Sequence, residues 1–318
     1  MRVAAQVALA APSIFNTQPW RWVVADGTLQ LYADRSRQLL VADPEGRLLT
    51  ISCGAALHHA RVALAVTGHV PQVRLLPDPA DVDLLAEIRL AGDHDPQTAE
   101  RAAYAAIRQR RTDRRAFTSE EVPSQIVDRL VDAAEQEGTH LATLRNGQVD
   151  DLAALASRVA QLQLSDPAYR RELAEWTTGV PHAQVNGEGV PTPTAVSPAP
   201  RRVPVREFAP LGGPTLDPGS HTDAGARYLV LFTDEDTATA WLRAGQALSA
   251  VLLTATVIGL ASAPISDVTE MSVTREGLRH VLADIGVPQL ALRIGYAPAG
   301  TPPGSPRRTL GEVVNLSS

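Results

Sequence analysis

Apolar and polar positions along this chain fall into two rhythms, and the switches between them mark its elements. Residues 48–67 and 237–261 are long apolar stretches rich in small residues, the pattern of helices buried on most of their faces. Helical spacing also covers 98–110, 124–137 with Ser124 as a cap after Pro123, and 149–176 with an interruption near Asp166-Pro167. Trp20–Ala25 and Thr28–Ala33 read as a hairpin about Asp26-Gly27, a strong turn signal. Gln72–Leu76, Leu85–Ala91, Arg227–Thr233 and Gln289–Tyr296 read as further strands. Val3–Ala11 reads as the last turns of a core helix, broken by Pro12. Arg2 and the Ala8-Leu9-Ala10 spacing faintly suggest a signal peptide, but the apolar stretch is short and runs straight into a polar motif. It is short for a core helix as well, which points to a misplaced start or a truncated helix. No other segment approaches the roughly 20 apolar residues of a membrane span.

The pattern breaks between Pro181 and Pro218, which hold 9 of the 24 prolines together with four glycines, a fifth, Gly219, following directly. Composition alone is equally that of a disordered linker. The charged and aromatic stretch Arg201–Phe208, and the strong elements resuming on either side, favour a lid instead. The two apolar helices also align with each other: Gly54-Ala55-Ala56-Leu57 matches Gly245-Gln246-Ala247-Leu248, while Val66 and Gly68 match Val257 and Gly259. Small-residue helices can agree by chance, so the alignment by itself is moderate support for a duplication.

Three segments carry candidate chemistry. Ala10–Trp22 leaves a helix, makes a short polar loop with Ser13, Asn16 and Gln18, and stiffens its exit with Pro19-Trp20. Such a loop can hold the edge of a flat polar heterocycle, although a plain helix-to-strand connection with a buried tryptophan would read much the same. Ile107–Phe117 packs five arginines into nine residues, 107–115, and Ser305-Pro306-Arg307-Arg308-Thr309-Leu310 adds two more. In most proteins these would be solvated basic surfaces. In a chain of net charge −6, such density near a helix end suits an anion, because guanidinium groups fork onto phosphate oxygens. The acidic balance argues against a general nucleic-acid binder, and the single cysteine, Cys53, excludes an intrachain disulfide or a multi-cysteine metal site. Cys53 reads as a small buried hydrophobe, and His58-His59 as packing or surface residues that cannot chelate one metal. Dinucleotide, Walker, His-Glu-x-x-His and Gly-x-Ser-x-Gly motifs are missing from the sequence.

Ala11-Pro12-Ser13-Ile14-Phe15-Asn16-Thr17-Gln18-Pro19-Trp20 resembles the Ala-Pro-Ser-x-x-Asn-x-Gln-Pro-Trp signature of the nitroreductase family, which binds flavin mononucleotide (FMN). The arginine run looks like that family's Arg-Arg-Ser-x-Arg-x-Phe motif with Thr112 for serine, and 305–310 is similar to its basic C-terminal segment. The resemblance covers nearly the whole chain and is nearest to the Acg-like branch. It implies an α+β nitroreductase-like fold of two tandem half-units, each with a small mixed sheet flanked by helices, forming an intrachain pseudo-dimer. The halves would be 1–97 and 98–318, the second carrying the Pro-rich lid insertion at about 179–222. In a nitroreductase dimer each site takes its phosphate ligands from one subunit and the Pro-Ser-x-x-Asn loop from the other. Here the loop lies in the first half and the arginines in the second, and the converse set is missing, which implies one flavin site per chain.

The resemblance assigns Arg110, Arg111, Arg114, Arg307 and Arg308 to phosphate and ribityl, with a hydroxyl from Thr112. Pro12, Ser13, Asn16 and Gln18 are expected at the ring's polar edge, with Arg21 a weaker candidate. Pro264, Ile265 and Ser266 would wall the reactive N5 edge, where relatives often carry an acidic residue in place of Ser266. No catalytic side chain and no metal ligand is assigned. The implied activity is hydride transfer from NAD(P)H through FMN to an electron-poor acceptor such as a nitroaromatic or a quinone. The alternatives are a non-catalytic FMN-storing protein with its flavin under the lid, and a flavin dehydrogenase with a dedicated biosynthetic substrate. A cytoplasmic chain follows, monomeric or weakly homo-oligomeric, with neither nucleic acid nor membrane as partner.

Overall fold

The computed structural model describes residues 1–25, 27–177, 187–197, 199–208 and 216–316. The expected hairpin forms from β1 (Trp20–Ala25) and β2 (Thr28–Ala33), with Ala25 paired to Thr28. Gly27 takes the positive φ, 73°, that a two-residue turn needs; its neighbour Asp26 lies outside the described residues. β3 (His69–Leu75) and β4 (Leu84–Asp93) extend the sheet, and β9 (Val314–Leu316) closes its other edge in the order β3-β4-β2-β1-β9. β9 runs parallel to β1, with Val314 opposite Trp22, so this sheet is mixed. A cut between residues 97 and 98 therefore leaves one strand of the first sheet in the second segment. Trp20 and Trp22, two apart and so on one face, are fully buried with Leu29 and Leu31 against α2 (Arg47–Val66).

The second sheet comprises β5 (His140–Thr143), β6 (Arg227–Thr233), β7 (Ala261–Ile265) and β8 (Val287–Gly295) in the order β5-β6-β8-β7. Every pair in it is antiparallel, so the expectation of a mixed sheet holds only for the first. Period-2 alternation splits its side chains between two cores. Leu229, Leu231, Leu290 and Leu292 face α4 (Ser124–Glu135) and α7 (Ala238–Val257), whereas Tyr228, Val230, Phe232 and Ala291 face α5 (Asn146–Ser165) and α8 (Ser272–Val281).

α2 and α7 pack against each other between the sheets. Gly54 and Gly245, equivalent in the sequence repeat, meet at the crossing. A Cβ on Gly54 would lie 2.3 Å from the Leu242 carbonyl oxygen, and one on Gly245 2.0 Å from that of Ile51. By length and composition α2 could cross a membrane, contrary to the expectation that no such segment exists, but 83% of its apolar window is buried inside the protein. Cys53 is buried in it, as expected. His58 and His59 are buried packing residues; desolvation pushes His58 down to about 3 and His59 well below its ordinary range.

Other boundaries move for local reasons. The expected 237–261 helix ends at Val257, because Gly259 turns left-handed (φ 81°) and releases the chain into β7. The 149–176 stretch is two helices, α5 and α6 (Pro167–Trp176), with the Asp166 carboxylate accepting from Ala168 N–H at 2.8 Å. Ser124 is the first helical residue of α4 rather than its cap, a position Pro123 takes. α1 (Arg2–Ala8) packs on α2, and α3 (Thr98–Gln109) ends at the arginine run. A short α9 (Leu310–Val313) leads into β9.

Candidate flavin and anion site

The loop after α1 is the hinge of the site. Phe15, Asn16 and Gln18 all have positive φ (47°, 55° and 50°), a region that costs non-glycine residues roughly 1–3 kcal/mol each. Ser13 Oγ offsets part of this by accepting the Gln18 N–H at 2.9 Å, and Ser52 Oγ on α2 accepts the Ile14 N–H at 3.1 Å. Held this way, the loop turns Pro12, Ser13, Ile14 and Phe15 toward a cleft and Asn16 and Gln18 away from it.

That cleft encloses about 960 Å³ of empty space, part of it open to solvent. Leu48, Ile51 and Ser52 of α2 form its floor, with Pro264, Ile265 and Ser266 along one side. Thr112 and Arg114 close another side, and Val203–Arg206 and Phe208 add to the lining. Arg114 is half-buried, its guanidinium 4.6 Å from the Phe208 ring centre, and donates to Thr194 O at 3.2 Å. Burial, and then Arg206 nearby, pushes it down to about 10.

A second, smaller cleft shares Thr112 with the first and is lined by Ala10, Arg110, Arg111, Gly304, Ser305 and Arg307. Arg110 is 6% exposed, and among the described residues neither its Nε nor its Nη1 has a partner; Arg307 Nε has none there either. Leaving buried charged donors unpaired is expensive, and these three N–H groups belong to residues that line a cleft with no carboxylate in its wall, chemistry suited to an anion. Burial, and then Arg111, pushes Arg110 down to about 10. Burial, and then Arg110 and Arg111, pushes Arg307 down to about 9.

The structure thus brings together Pro12, Ser13, Thr112, Arg114 and Pro264–Ser266 at one cleft and Arg110, Arg111, Thr112 and Arg307 at the other. Arg308 is not among them: its guanidinium donates to Gln18 O at 3.2 Å and Asp34 at 3.4 Å. Arg21 stacks on Tyr32, 4.5 Å from the ring centre, and lines neither cleft. Asn16 and Gln18 line neither and instead bond to chain segments described below.

Sequence reasoning missed the pair that fastens the 203–208 stretch. Arg206 forms a salt bridge to Glu270, whose side chain is fully buried, and Ser266 and Gln163 also donate to that carboxylate at 3.0 and 2.7 Å. Burial alone would depress Arg206, but the combined attraction of Glu270, Tyr169 and Asp267 exceeds it and holds the guanidinium above its ordinary range. Arg206 lies 4.8 Å from the Phe15 ring centre, and Phe15 meets Phe208 edge-on at 5.6 Å. The charge and aromatic content of 201–208 was the legible signal; Glu270 gave none. Of the expected insertion, 178–186, 198 and 209–215 lie outside the described residues.

Comparison with known proteins places this architecture. The profile of the nitroreductase family matches residues 107–296. Rv3131 of Mycobacterium tuberculosis, which carries the name of an NAD(P)H nitroreductase, is 40% identical over 99% of this chain and 90% of its own length. The protein named acg from the same organism is 33% identical over 99% and 95%. Among solved structures, the FMN-dependent nitroreductase NfnB of Mycobacterium smegmatis in complex with NADPH is 19% identical (TM-score 0.42, covering 69% of this chain and all of that one). A Bacteroides fragilis nitroreductase with bound FMN is 16% identical (TM-score 0.37, 63% and 90%). On the family profile and the whole-chain relatives, this chain belongs to the nitroreductase family.

Proposed function

We propose that the chain binds one FMN non-covalently and passes hydride equivalents from NAD(P)H to an electron-poor acceptor, a nitroaromatic or a quinone. The observation that carries this is the orphaned set in the smaller cleft, Arg110 Nε and Nη1 with Arg307 Nε, next to a larger cleft suited to a flat ring. Arg110, Arg111 and Arg307 would hold the phosphate, and Thr112 would supply a hydroxyl where the two clefts join. Pro12–Phe15 and Pro264–Ser266 would flank the ring, Arg114 would meet its polar edge, and the apolar floor would exclude water. Bound there, FMN supplies the hydride-transfer chemistry, and the protein supplies position and electrostatics.

The fused arrangement follows from the same reading. Residues 1–97 and 98–318 act as two half-units, and the Gly54–Gly245 contact of repeat-equivalent residues supports it. A cytoplasmic protein without nucleic-acid or membrane partners accords with this use of NAD(P)H.

One observation favours a second reading, in which the chain stores FMN without turnover. Val203–Arg206 and Phe208 line the larger cleft and are fastened by Arg206–Glu270, so as a cover they would stand where a nicotinamide needs access. Anaerobic stopped-flow mixing of FMN-loaded protein with NADPH or NADH separates the two. Rapid loss of oxidised-flavin absorbance establishes the reductase, and a flavin that stays oxidised for minutes establishes storage. Protein that retains no flavin overturns both.

A further inference from the structure

Asn16 joins three segments that are remote in sequence. Its Oδ1 accepts from Arg307 Nη1 at 2.9 Å, while its Nδ2 donates to Pro306 O at 3.1 Å and Gly189 O at 3.0 Å. Its backbone carbonyl also accepts from Gly189 N–H at 3.3 Å. Gln18 repeats the pattern: Oε1 accepts from Arg308 N–H at 2.9 Å and Nε2 donates to Gly187 O at 2.7 Å. Gly187 lies so close to the Arg307 carbonyl oxygen that a Cβ would be 2.2 Å from it. Beside them Glu188 pairs with Arg37, which also donates to Thr17 O at 2.5 Å.

Residues 187–189 are therefore the root of the stretch whose far end, Val203–Arg206 and Phe208, lines the larger cleft and would cover it. On the other side of Asn16 stands Arg307, facing Arg110 across the smaller cleft. A carboxamide is the group that can do this, because it offers an acceptor to a cation and donors to two carbonyls at once. A carboxylate lacks the donors.

We infer that Asn16 is a positioning residue that couples the anion end of the site to its cover. An anion between Arg110, which is buried, and Arg307, which is half-buried, relieves the repulsion of the two cations and fixes Arg307. Arg307 then orients the Asn16 carboxamide, and Asn16 holds 187–189. This rests on the FMN reading and goes beyond it. The ring alone does not seat the cover, so FMN and riboflavin, which differ only by the phosphate, act differently on residues 187–197.

Hydrogen exchange read by mass spectrometry tests this on the full chain, free and saturated with FMN or riboflavin, with occupancy followed by quenching of flavin fluorescence. FMN should slow exchange at 187–197 at least tenfold, while riboflavin protects 263–267 in the larger cleft but leaves 187–197 within about twofold of the free protein. Asn16→Gly removes the carboxamide without adding strain at φ 55°. With FMN bound, it should keep the protection at 263–267 and lose that at 187–197. Asn16→Asp, which keeps the acceptor and loses the donors, should behave likewise. Equal protection of 187–197 by both flavins in the wild type, or its persistence in Asn16→Gly, overturns the coupling and leaves the FMN reading intact. Unquenched fluorescence with both flavins overturns the FMN reading and the coupling with it.

Discussion

Arg293 and Asp223 form a bidentate ion pair in the interior, with Nη1 2.8 and 2.7 Å from the two carboxylate oxygens and both side chains 2% exposed or less. Arg293 Nη2 donates to the carbonyls of Asp113 and Arg115 at 2.9 Å each, and the Asp223 carboxylate accepts the Phe117 N–H. The pair is the peg on which the arginine run hangs from β8. Removing one partner leaves a buried charge, so Asp223→Ala should cost about 3–5 kcal/mol in chemical denaturation. It should also loosen FMN binding, although Asp223 lines neither cleft.

The arginines should separate by titration with FMN. Arg110→Ala and Arg307→Ala each remove charge-assisted bonds worth ~1.5–3 kcal/mol and should weaken binding about 10- to 150-fold. Arg308→Ala should stay within about threefold, because that side chain serves Gln18 and Asp34. Equal losses at all three positions would contradict the placement of Arg308.

Affinity for FMN should fall at high pH. Arg307 and Arg110 are pushed down to about 9 and about 10, whereas a bound phosphate dianion favours their charged forms. Above pH 9 the free protein loses a proton that the complex keeps, so affinity should drop by up to about tenfold per pH unit for each group. Folding of the free protein has the opposite sign. The unfolded arginines stay protonated, so this contribution raises stability as pH climbs past 9. Equilibrium titrations between pH 7 and 10.5 check the first effect.

The fastening of the cover should set how quickly reductant reaches the flavin. The double variant Arg206→Ala, Glu270→Gln removes both charges and leaves neither one stranded. It should speed flavin reduction by NADPH at least several-fold in the stopped-flow assay if the cover gates access. An unchanged rate would make Val203–Phe208 a passive wall.

At the helix crossing, Gly54→Ala places a methyl against the Leu242 carbonyl, which a packed backbone cannot yield cheaply. Thermal unfolding should show a loss of roughly 1–3 kcal/mol. Gly27→Ala meets open space but keeps φ at 73°, so its cost is conformational alone, about 1 kcal/mol.

What was legible in the sequence had local causes. The hairpin showed in Asp26-Gly27, the helix pair in its small residues, and the anion cleft in the density of arginines from 108 to 115. What was hidden depends on distant partners. β9 is three residues long, and only its register beside Trp22 makes it a strand. β7 gave no strand signal, and the expected helix overran its first residue until Gly259 ended it at Val257. Asn16 and Gln18 looked like ring ligands because nothing local reveals that 187–189 and 305–308 claim their hydrogen bonds first.

The pairing of β9 with β1 has a consequence for how the protein is made. Residue 22 waits on the ribosome for residue 314 before the edge of the first sheet is covered, and Arg307 arrives only just ahead of it. A nascent chain with nearly all of its core thus exposes an unpaired strand edge and half an anion cradle. The interval before β9 pairs is when this chain is most open to mispairing.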